Sequence, residues 1–244
     1  VPIIDGRVPP TAHEITTGQA NRVWLVDAPT PYVLKHYGTA ARATNEAATL
    51  RLLAAHGSPA PRLLRAGTGG DPPWTAQRFV TAESVPAGRL LAELAIPLNT
   101  VHRIPGDHAG RVAGALHYPT WPAYLHSRLE AYETAAPHLA SEARSLRNEI
   151  NNTALDVQPR LLHHDLQPGH LIRQHTGQLV LVDWELAAFG DPLSDLARLA
   201  VRLRLDDLSS IADLVHVHDA ATEHRLRLYW RIHRLADAAL SQPR

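Results

Sequence analysis

Cysteine is absent from the 244-residue chain, which excludes disulfides, zinc–thiolate sites, iron–sulfur clusters and a cysteine nucleophile together. No run approaches the ~18 consecutive apolar residues of a membrane-spanning helix. The formal net charge is zero, from 24 basic and 24 acidic side chains, so the basic excess of a nucleic-acid binder is missing. No GxGxxG follows a strand-like run, and neither a GxxxxGK[ST] loop nor an HExxH unit occurs; dinucleotide folds, P-loops and zincin-type hydrolysis lose their signatures. Repeats with a period of about 20–50 residues are also missing. The first residues carry no basic-then-apolar pattern of a secretory leader. These absences lead to the expectation of a soluble, cytoplasmic protein, monomer or homodimer, whose partner is a small molecule rather than nucleic acid or membrane. A hydrophobic content of 45% suffices for one large or two small domains.

Lysine is nearly absent as well. Of the 24 basic residues 23 are arginine, and the one lysine is Lys35. A lysine that survives so strong a bias is a candidate for chemistry that needs a compact ammonium rather than a planar guanidinium. It sits in Tyr32-Val33-Leu34-Lys35 after the turn signal Ala28-Pro29-Thr30-Pro31, the pattern of a strand entered from a hairpin.

From Glu14 to Thr81 short strand-like runs alternate with turns: Ile15–Thr17, Arg22–Val26 and Tyr32–Tyr37, then a helix over Thr39–His56 stopped by Gly57. Arg62–Ala66 and Trp74–Val80 then flank a glycine-rich turn. Beyond Ser84 the pattern is mainly helical, with Ala87–Arg103 broken at Pro97, a long stretch Trp121–Ile150, and Ala220–Leu240; one strand pair, Leu171–Arg173 and Leu179–Val182, interrupts it. The expected architecture is α+β and bilobal: residues 1–81 as a five-stranded antiparallel sheet with one helix, a hinge around 77–84, and residues 82–244 as a larger helical lobe.

The densest chemistry lies in His163-His164-Asp165-Leu166-Gln167-Pro168-Gly169-His170, followed by the apolar run Leu179–Val182 that ends at Asp183-Trp184-Glu185. An acid set just after an apolar strand rests on a rigid support, and oxygen-preferring cations such as Mg²⁺ use one or two such carboxylates plus substrate phosphates. Asp165 as a base and Asp183 as a metal ligand make a coherent pair, although either alone reads more readily as a turn cap.

Together these segments resemble the aminoglycoside phosphotransferase and small-molecule kinase family, whose fold is like that of protein kinases. The strongest part of the resemblance is His163–Ile172 followed by Val182–Glu185 and Gly190-Asp191-Pro192-Leu193-Ser194-Asp195. It implies that Asp165 orients or deprotonates the acceptor hydroxyl, that Asp183 holds Mg²⁺ against the phosphates of ATP or GTP, and that Lys35 binds phosphate oxygens while paired to Glu46. It further implies that Gly18-Gln19-Ala20-Asn21 covers the phosphates, that Arg78, Phe79 and Val80 meet the nucleotide base, and that His163 and Asp195 brace the catalytic loop.

Three positions depart from the family pattern. His170 stands where a metal-binding asparagine is usual, and imidazole nitrogen is a poor ligand for a hard cation. His164 stands where glycine is common, and Gln167 where histidine is frequent. A pseudokinase that only binds nucleotide is one alternative, and hydrolysis through a histidine-held transition metal another; the intact Lys35, Glu46, Asp165 and Asp183 favour transfer. For the acceptor, eight acids against three arginines between residues 183 and 219 suggest an acidic wall that steers polycations. This leads to the expectation of a resistance enzyme for a cationic antibiotic, an aminoglycoside or a basic peptide of the capreomycin and viomycin type, with Glu185, Asp191 and Gln167 as candidate acceptor contacts. A kinase of a choline-, homoserine- or sugar-like metabolite is the alternative.

The lone lysine carries the first prediction. Lys35→Arg keeps the charge but replaces a point ammonium by a wide fork, so phosphoryl transfer is expected to drop sharply while thermal unfolding stays that of a folded protein. Equal transfer by the arginine variant would make Lys35 a bystander.

Overall fold

The computed structural model describes residues 4–15, 21–85, 87–214 and 219–240. In chain order the strands and helices are β1 (Ala12–Glu14), β2 (Asn21–Val26), β3 (Tyr32–Tyr37), α1 (Ala40–Ala55), β4 (Leu63–Gly67), β5 (Trp74–Arg78), β6 (Ala82–Ser84) and α2 (Ala87–Val101). There follow β7 (Ala109–Arg111), β8 (His117–Tyr118), α3 (Trp121–Ala135), α4 (Ala140–Asn152), β9 (Arg160–Leu162), β10 (Leu171–Gln174) and β11 (Leu179–Leu181). The chain ends with β12 (Ala188–Gly190), α5 (Leu193–Arg202), α6 (Ser209–Leu214) and α7 (Ala220–Leu240).

Contacts divide the chain into two units that are discontinuous in sequence. The first comprises Val1–Val85, Val112–Ala115 and Gly169–Ala187; the second comprises Pro86–Arg111, Leu116–Pro168 and Ala188–Arg244. This differs from a single cut after residue 81, because β6 pairs antiparallel with β10 and so draws the β10–β11 hairpin into the first unit.

The first unit is built on a five-stranded antiparallel sheet in the order β1-β2-β3-β5-β4. Strand periodicity of two sorts its residues. Trp24, Val26, Tyr32, Leu34, Trp74 and Ala76 form one buried apolar cluster, while the alternate positions Lys35, Tyr37, Thr75 and Gln77 are buried polar residues. Helix α1 starts where the Thr39 hydroxyl accepts from the Arg42 N–H at 3.4 Å, an N-cap that satisfies one orphan donor. It ends before Gly57, whose φ of +63° is the left-handed conformation that suits glycine at a helix C-terminus. Its buried side includes Ala43, Glu46, Ala47, Leu50 and Leu53, the i, i+3, i+4, i+7 stripe of a helix laid on a sheet. The first strand lies at Ala12–Glu14 rather than at Ile15–Thr17: Ile15 is outside it, and Thr16 and Thr17 lie outside the described residues.

The second unit holds a four-stranded sheet, β8-β7-β12-β9, with helices α2 to α7. At its centre is α5, whose first eight residues, Leu193 to Ala200, are all buried. Helix α2 runs through Pro97 without the expected break. Proline removes one helical hydrogen bond, but the buried stripe Leu90, Leu94, Leu98 and Val101 continues across it, and packing holds the helix. The expected long helix 121–150 is two helices, because Pro137 keeps Ala136 out of the helical region (φ −140°, ψ 79°) and so ends α3. Among the described residues no helix is long and apolar enough to cross a membrane.

Trp121 at the start of α3 is 1% exposed and stacks on Tyr124 at 5.1 Å between ring centroids. Its ring leaves no room at Gly190, where a Cβ would stand 2.3 Å from the indole. Gly190→Ala is therefore expected to destabilise the protein by about 1–3 kcal/mol through overpacking, read as a lower urea midpoint. Gly69→Ala, where a Cβ meets nothing within 4 Å, is the control expected to stay within about 0.5 kcal/mol.

Candidate active site

In the first unit Lys35, 5% exposed, is the hub. Its ammonium donates to Glu46 Oε2 at 2.9 Å and to Asp183 Oδ1 at 2.5 Å, and lies 3.3 Å from Glu185 Oε2. Burial alone would lower the lysine's pKa; the combined field of Glu46, Asp183 and Glu185, with the Asp183 hydrogen bond, overcomes it and raises the value. Glu46 is held from both sides: Oε2 also accepts from the Tyr37 hydroxyl and Oε1 from the Trp184 N–H at 3.2 Å. Behind Tyr37 a chain of donors runs from Gln77 Nε2 to Thr75 Oγ1 at 3.1 Å and from Thr75 to the Tyr37 oxygen at 2.7 Å. Those four polar positions share one sheet face because they alternate along β3 and β5.

The segment after β11 is stitched to α1. Asn45 Nδ2 donates at 2.9 Å to the carbonyls of both Glu185 and Ala187, and Asn45 Oδ1 accepts from the Ala113 N–H at 3.0 Å. Glu185 Oε1 accepts from Arg42 at 2.9 Å, and Oε2 accepts from Asn21. Burial pushes the Glu185 pKa up, reinforced by Asp183 and Glu46 and opposed by Lys35 and Arg42. Asp183 has φ +70°, a left-handed conformation that costs a non-glycine residue. His170 Nε2 lies 3.4 Å from its Oδ2.

Among the described residues the group of ligand atoms close enough to share a cation is Glu46, Asp183 and Glu185, within 4.8 Å of one another. The set contains no histidine, and the His216-Val217-His218 pair lies outside the described residues. All-oxygen donors suit Mg²⁺. Glu46 is 1% exposed and taken up by Lys35, Tyr37 and Trp184, and Glu185, its side chain 8% exposed, is taken up by Arg42 and Asn21; the Asp183 side chain, 34% exposed, is the most accessible of the three.

In the second unit Asp195, fully buried in the first turn of α5, organises the loop that carries Asp165. Its Oδ2 accepts from the His163 N–H and from His102 Nε2, both at 2.9 Å, and its Oδ1 accepts from the His164 N–H at 2.6 Å. His164 has φ +62°, which gives the physical reason glycine suits that place. His163 Nδ1 in turn accepts from the Asp165 N–H at 3.4 Å. Asp165 Oδ1 accepts from Arg202 at 3.1 Å and Arg198 at 3.3 Å. Asp237 Oδ1 on α7 accepts from Arg198 at 2.9 Å and lies 3.5 Å from Arg202.

The structure thus brings Lys35, Glu46, Asp183, Glu185, His170 and Asn21 together in one unit, and His163, Asp165 and Asp195 in the other. Gly18, Gln19 and Ala20 lie outside the described residues. Arg78 and Phe79 donate their N–H groups internally, to Arg62 O at 2.8 Å and Pro31 O at 3.2 Å. Gln167 is half-buried two residues after Asp165. Two acceptor candidates are placed elsewhere by their partners. Glu185 belongs to the lysine cluster, and Asp191, 3% exposed, accepts from the Leu193 N–H, from Arg225 and from the Tyr229 hydroxyl. The acidic wall dissolves likewise: Asp207 and Asp219 cap helices through Ser209 and Thr222. Sequence reasoning missed Arg198, Arg202 and Asp237. The signal lay in the spacing Asp195, Arg198, Arg202, which is i, i+3, i+7 on one helix face.

Residues 11–229 match the phosphotransferase enzyme family. The chain belongs to that family. The activity that membership carries is transfer of a phosphoryl group. No curated protein sequence matches this phosphotransferase. Among solved structures it is similar to a thermostable mutant of aminoglycoside phosphotransferase APH(4)-Ia (TM-score 0.71, 18% identity, 94% of this chain and 86% of that one), which has also been crystallised with ADP and hygromycin B. It is similar as well to choline kinase LicA from Streptococcus pneumoniae (TM-score 0.64, 18% identity, covering 92% and 82%). A putative fructosamine-3-kinase from Haemophilus somnus gives a TM-score of 0.65 at 14% identity, covering 94% and 90%. At these identities the likeness establishes the fold, the kinase-like α+β architecture of small-molecule phosphotransferases.

Two histidines, the buried His233 and the half-buried His164, lie at the Asp165 loop. His233, whose Nε2 lies 2.9 Å from Ser194 Oγ, has its pKa pushed down to about 3, by burial first and by Arg198 second. Burial and Arg111 hold His164 well below the ordinary histidine value too. Each refuses, when folded, a proton that the unfolded chain accepts near pH 6.5. Stability is therefore expected to be full above about pH 6.5 and to fall as pH drops from there toward 3, by up to ~1.4 kcal/mol per pH unit per histidine. Urea midpoints at pH 7.5 and 4.5 check this, and His233→Gln should narrow the difference between them.

Proposed function

We propose that this phosphotransferase moves the γ-phosphoryl group of ATP or GTP to a hydroxyl of a small molecule. The observation that carries the proposal is the sole lysine, buried and paired with Glu46 and Asp183, because kinase-type transfer relies on positioned charges more than on covalent chemistry. Lys35 takes nucleotide phosphate oxygens while Glu46, itself fixed by Tyr37 and Trp184, keeps the ammonium in place. Asp183 and Glu185 are the residues that would hold Mg²⁺, and His170 orients the Asp183 carboxylate from 3.4 Å. Mg²⁺ bound there would neutralise charge on the phosphates. Gly18 to Asn21 cover the phosphates. The base meets the strand end beyond Phe79, where the Val80 N–H is the first with no internal partner among the described residues.

In the second unit Asp165 orients the acceptor hydroxyl. As the hydroxyl oxygen bonds to the γ-phosphorus, the bond from that phosphorus to the bridging oxygen breaks, and the hydroxyl proton leaves through the carboxylate. His163 and Asp195 act through Asp165 by holding its loop. A nucleotide-consuming enzyme works where ATP and GTP are plentiful, which fits the cytoplasm.

Two acceptor classes draw support from similar proteins. The hygromycin B complex of APH(4)-Ia supports an antibiotic, and the choline and fructosamine kinases support a metabolite. Steering of a polycation no longer favours the antibiotic, since apart from Asp206 the acids with described side chains between 183 and 219 have internal partners.

ADP and GDP formation with each nucleotide, Mg²⁺ and a panel of hydroxylated acceptors tests the proposal. Asp165→Asn is expected to keep nucleotide affinity within a few-fold and to lower turnover by about 10²–10⁴; Asp183→Ala is expected to abolish transfer. Full turnover in the Asp165 variant would assign the hydroxyl to another group.

A further inference from the structure

The charges nearest Asp165 are positive. Arg198 and Arg202 both reach its Oδ1, at 3.3 and 3.1 Å, and Asp237 answers them from α7. The four side chains, two guanidiniums and two carboxylates, are formally neutral together. Arg202 Nε is buried in it with no hydrogen-bond partner among the described residues.

Asp237 is also a wall of a cavity of about 360 Å³ whose other polar lining is Arg204, Asp206, Trp230 and Arg234, with Leu205 beside them. This volume lies in the range of small-molecule sites. Its wall is rich in donors that lack acceptors. Arg204 and Arg234 have no ion pair among the described residues, and the Arg234 guanidinium lies over the Trp230 ring, 4.9 Å from its centroid. The buried Trp230 Nε1 has no hydrogen-bond partner there either. Asp237 is already neutralised by Arg198 and Arg202, so Asp206 is the one carboxylate left to face two free cations. Arg204 stands at φ +55° at the end of α5, where the Arg204 N–H bonds to Val201 O and the Leu205 N–H to Ala200 O, both at 3.0 Å. Glycine is the usual residue at that helix end; the chain keeps an arginine there and bears the strain.

We propose that the acceptor of this enzyme carries an anionic group, a carboxylate or a phosphate ester, and that this cavity receives it on Arg204, Arg234 and the Trp230 N–H. The inference rests on the phosphoryl-transfer proposal and names the substrate class of that site. Guanidinium forks match carboxylate and phosphate oxygens two by two. Shared through Asp237, the cavity and the Arg198–Arg202 pair form one set, so a ligand seated there is connected to the carboxylate that orients the hydroxyl. A polycation in this cavity would instead meet the guanidiniums of Arg204 and Arg234, with Asp206 and the neutralised Asp237 as its carboxylates.

The test compares gluconate with sorbitol, two polyols that differ chiefly in the carboxylate, alongside hygromycin B and choline. Transfer from ATP is followed on the purified full chain, with ATP affinity measured on the same preparation. The expected result is a kcat/KM for gluconate at least about tenfold above that for sorbitol, hygromycin B and choline, the effect of one to two charge-assisted contacts. The gluconate-to-sorbitol ratio should fall toward one in Arg204→Ala and Arg234→Ala, both exposed positions whose unfolding temperatures are measured in parallel. Hygromycin B or choline used at least as well as gluconate overturns the inference, as does a ratio that neither substitution moves. Failure of all four acceptors with ATP still bound overturns it too and leaves the phosphotransferase proposal standing. Absence of ATP binding overturns that proposal itself.

Discussion

A single buried ammonium constrains most of the first unit. An ionised lysine taken out of water costs several kcal/mol unless it is paired and hydrogen-bonded, and Lys35 is surrounded by three carboxylates from two separate stretches of chain. To deliver them, β3 must keep its register with β5, so that Lys35 and Tyr37 point to the side where Glu46 of α1 lies. The residues after β11 must then turn through a left-handed Asp183 to reach the same ammonium. Asn45, adjacent to Glu46 on α1, closes that turn by donating to two of its carbonyls. One charge thereby ties strand register, helix face and loop conformation together. Three carboxylates against Lys35 and Arg42 leave a residual negative charge, a condition that favours a cation.

In the second unit the same logic runs with the sign reversed and without a permanent cation at the centre. Asp195 is a fully buried carboxylate satisfied by two backbone N–H groups and one imidazole. Backbone donors fix geometry more tightly than flexible side chains, since the groups they belong to cannot rotate away. The cost is the left-handed His164, and the gain is that Asp165 leaves the turn with a set direction. The helix that supplies Asp195 also supplies Arg198 and Arg202 one and two turns later, so the brace and the charges around Asp165 come from one rigid element.

Local chemistry was legible where it is local by nature. Four of the five strands and the first helix follow from alternation, turn residues and caps, while β1 lies earlier than its pattern suggests; β3 and α7 keep the bounds that their sequence pattern sets. The Lys35–Glu46 pair was legible through the family resemblance, which sets a strand lysine against a glutamate of the following helix; the residues alone singled out the lysine but not its partner. Pro97 misled because packing along Leu90, Leu94 and Leu98 outweighs one lost hydrogen bond. Pro137 went unread because its effect acts on the residue before it. The small sheet of β7, β8, β9 and β12 has strands of two or three residues, too short for any period to show.

What the amino-acid sequence determined by itself is the inventory of reactive groups and part of the framework that carries them: one lysine on a strand, the acids after two apolar runs, and the Gly190–Asp195 segment. What only the tertiary structure decided is which charges face one another. Eight acids in a stretch of sequence look like a wall, yet Glu185 turns to Lys35, Asp191 to Arg225 and Tyr229, and Asp195 to the backbone of the Asp165 loop. Electrostatic energy depends on distance in space and on the local dielectric. Neighbours along a chain therefore do not settle a charge's role; the partner that packing brings within about 3 Å does.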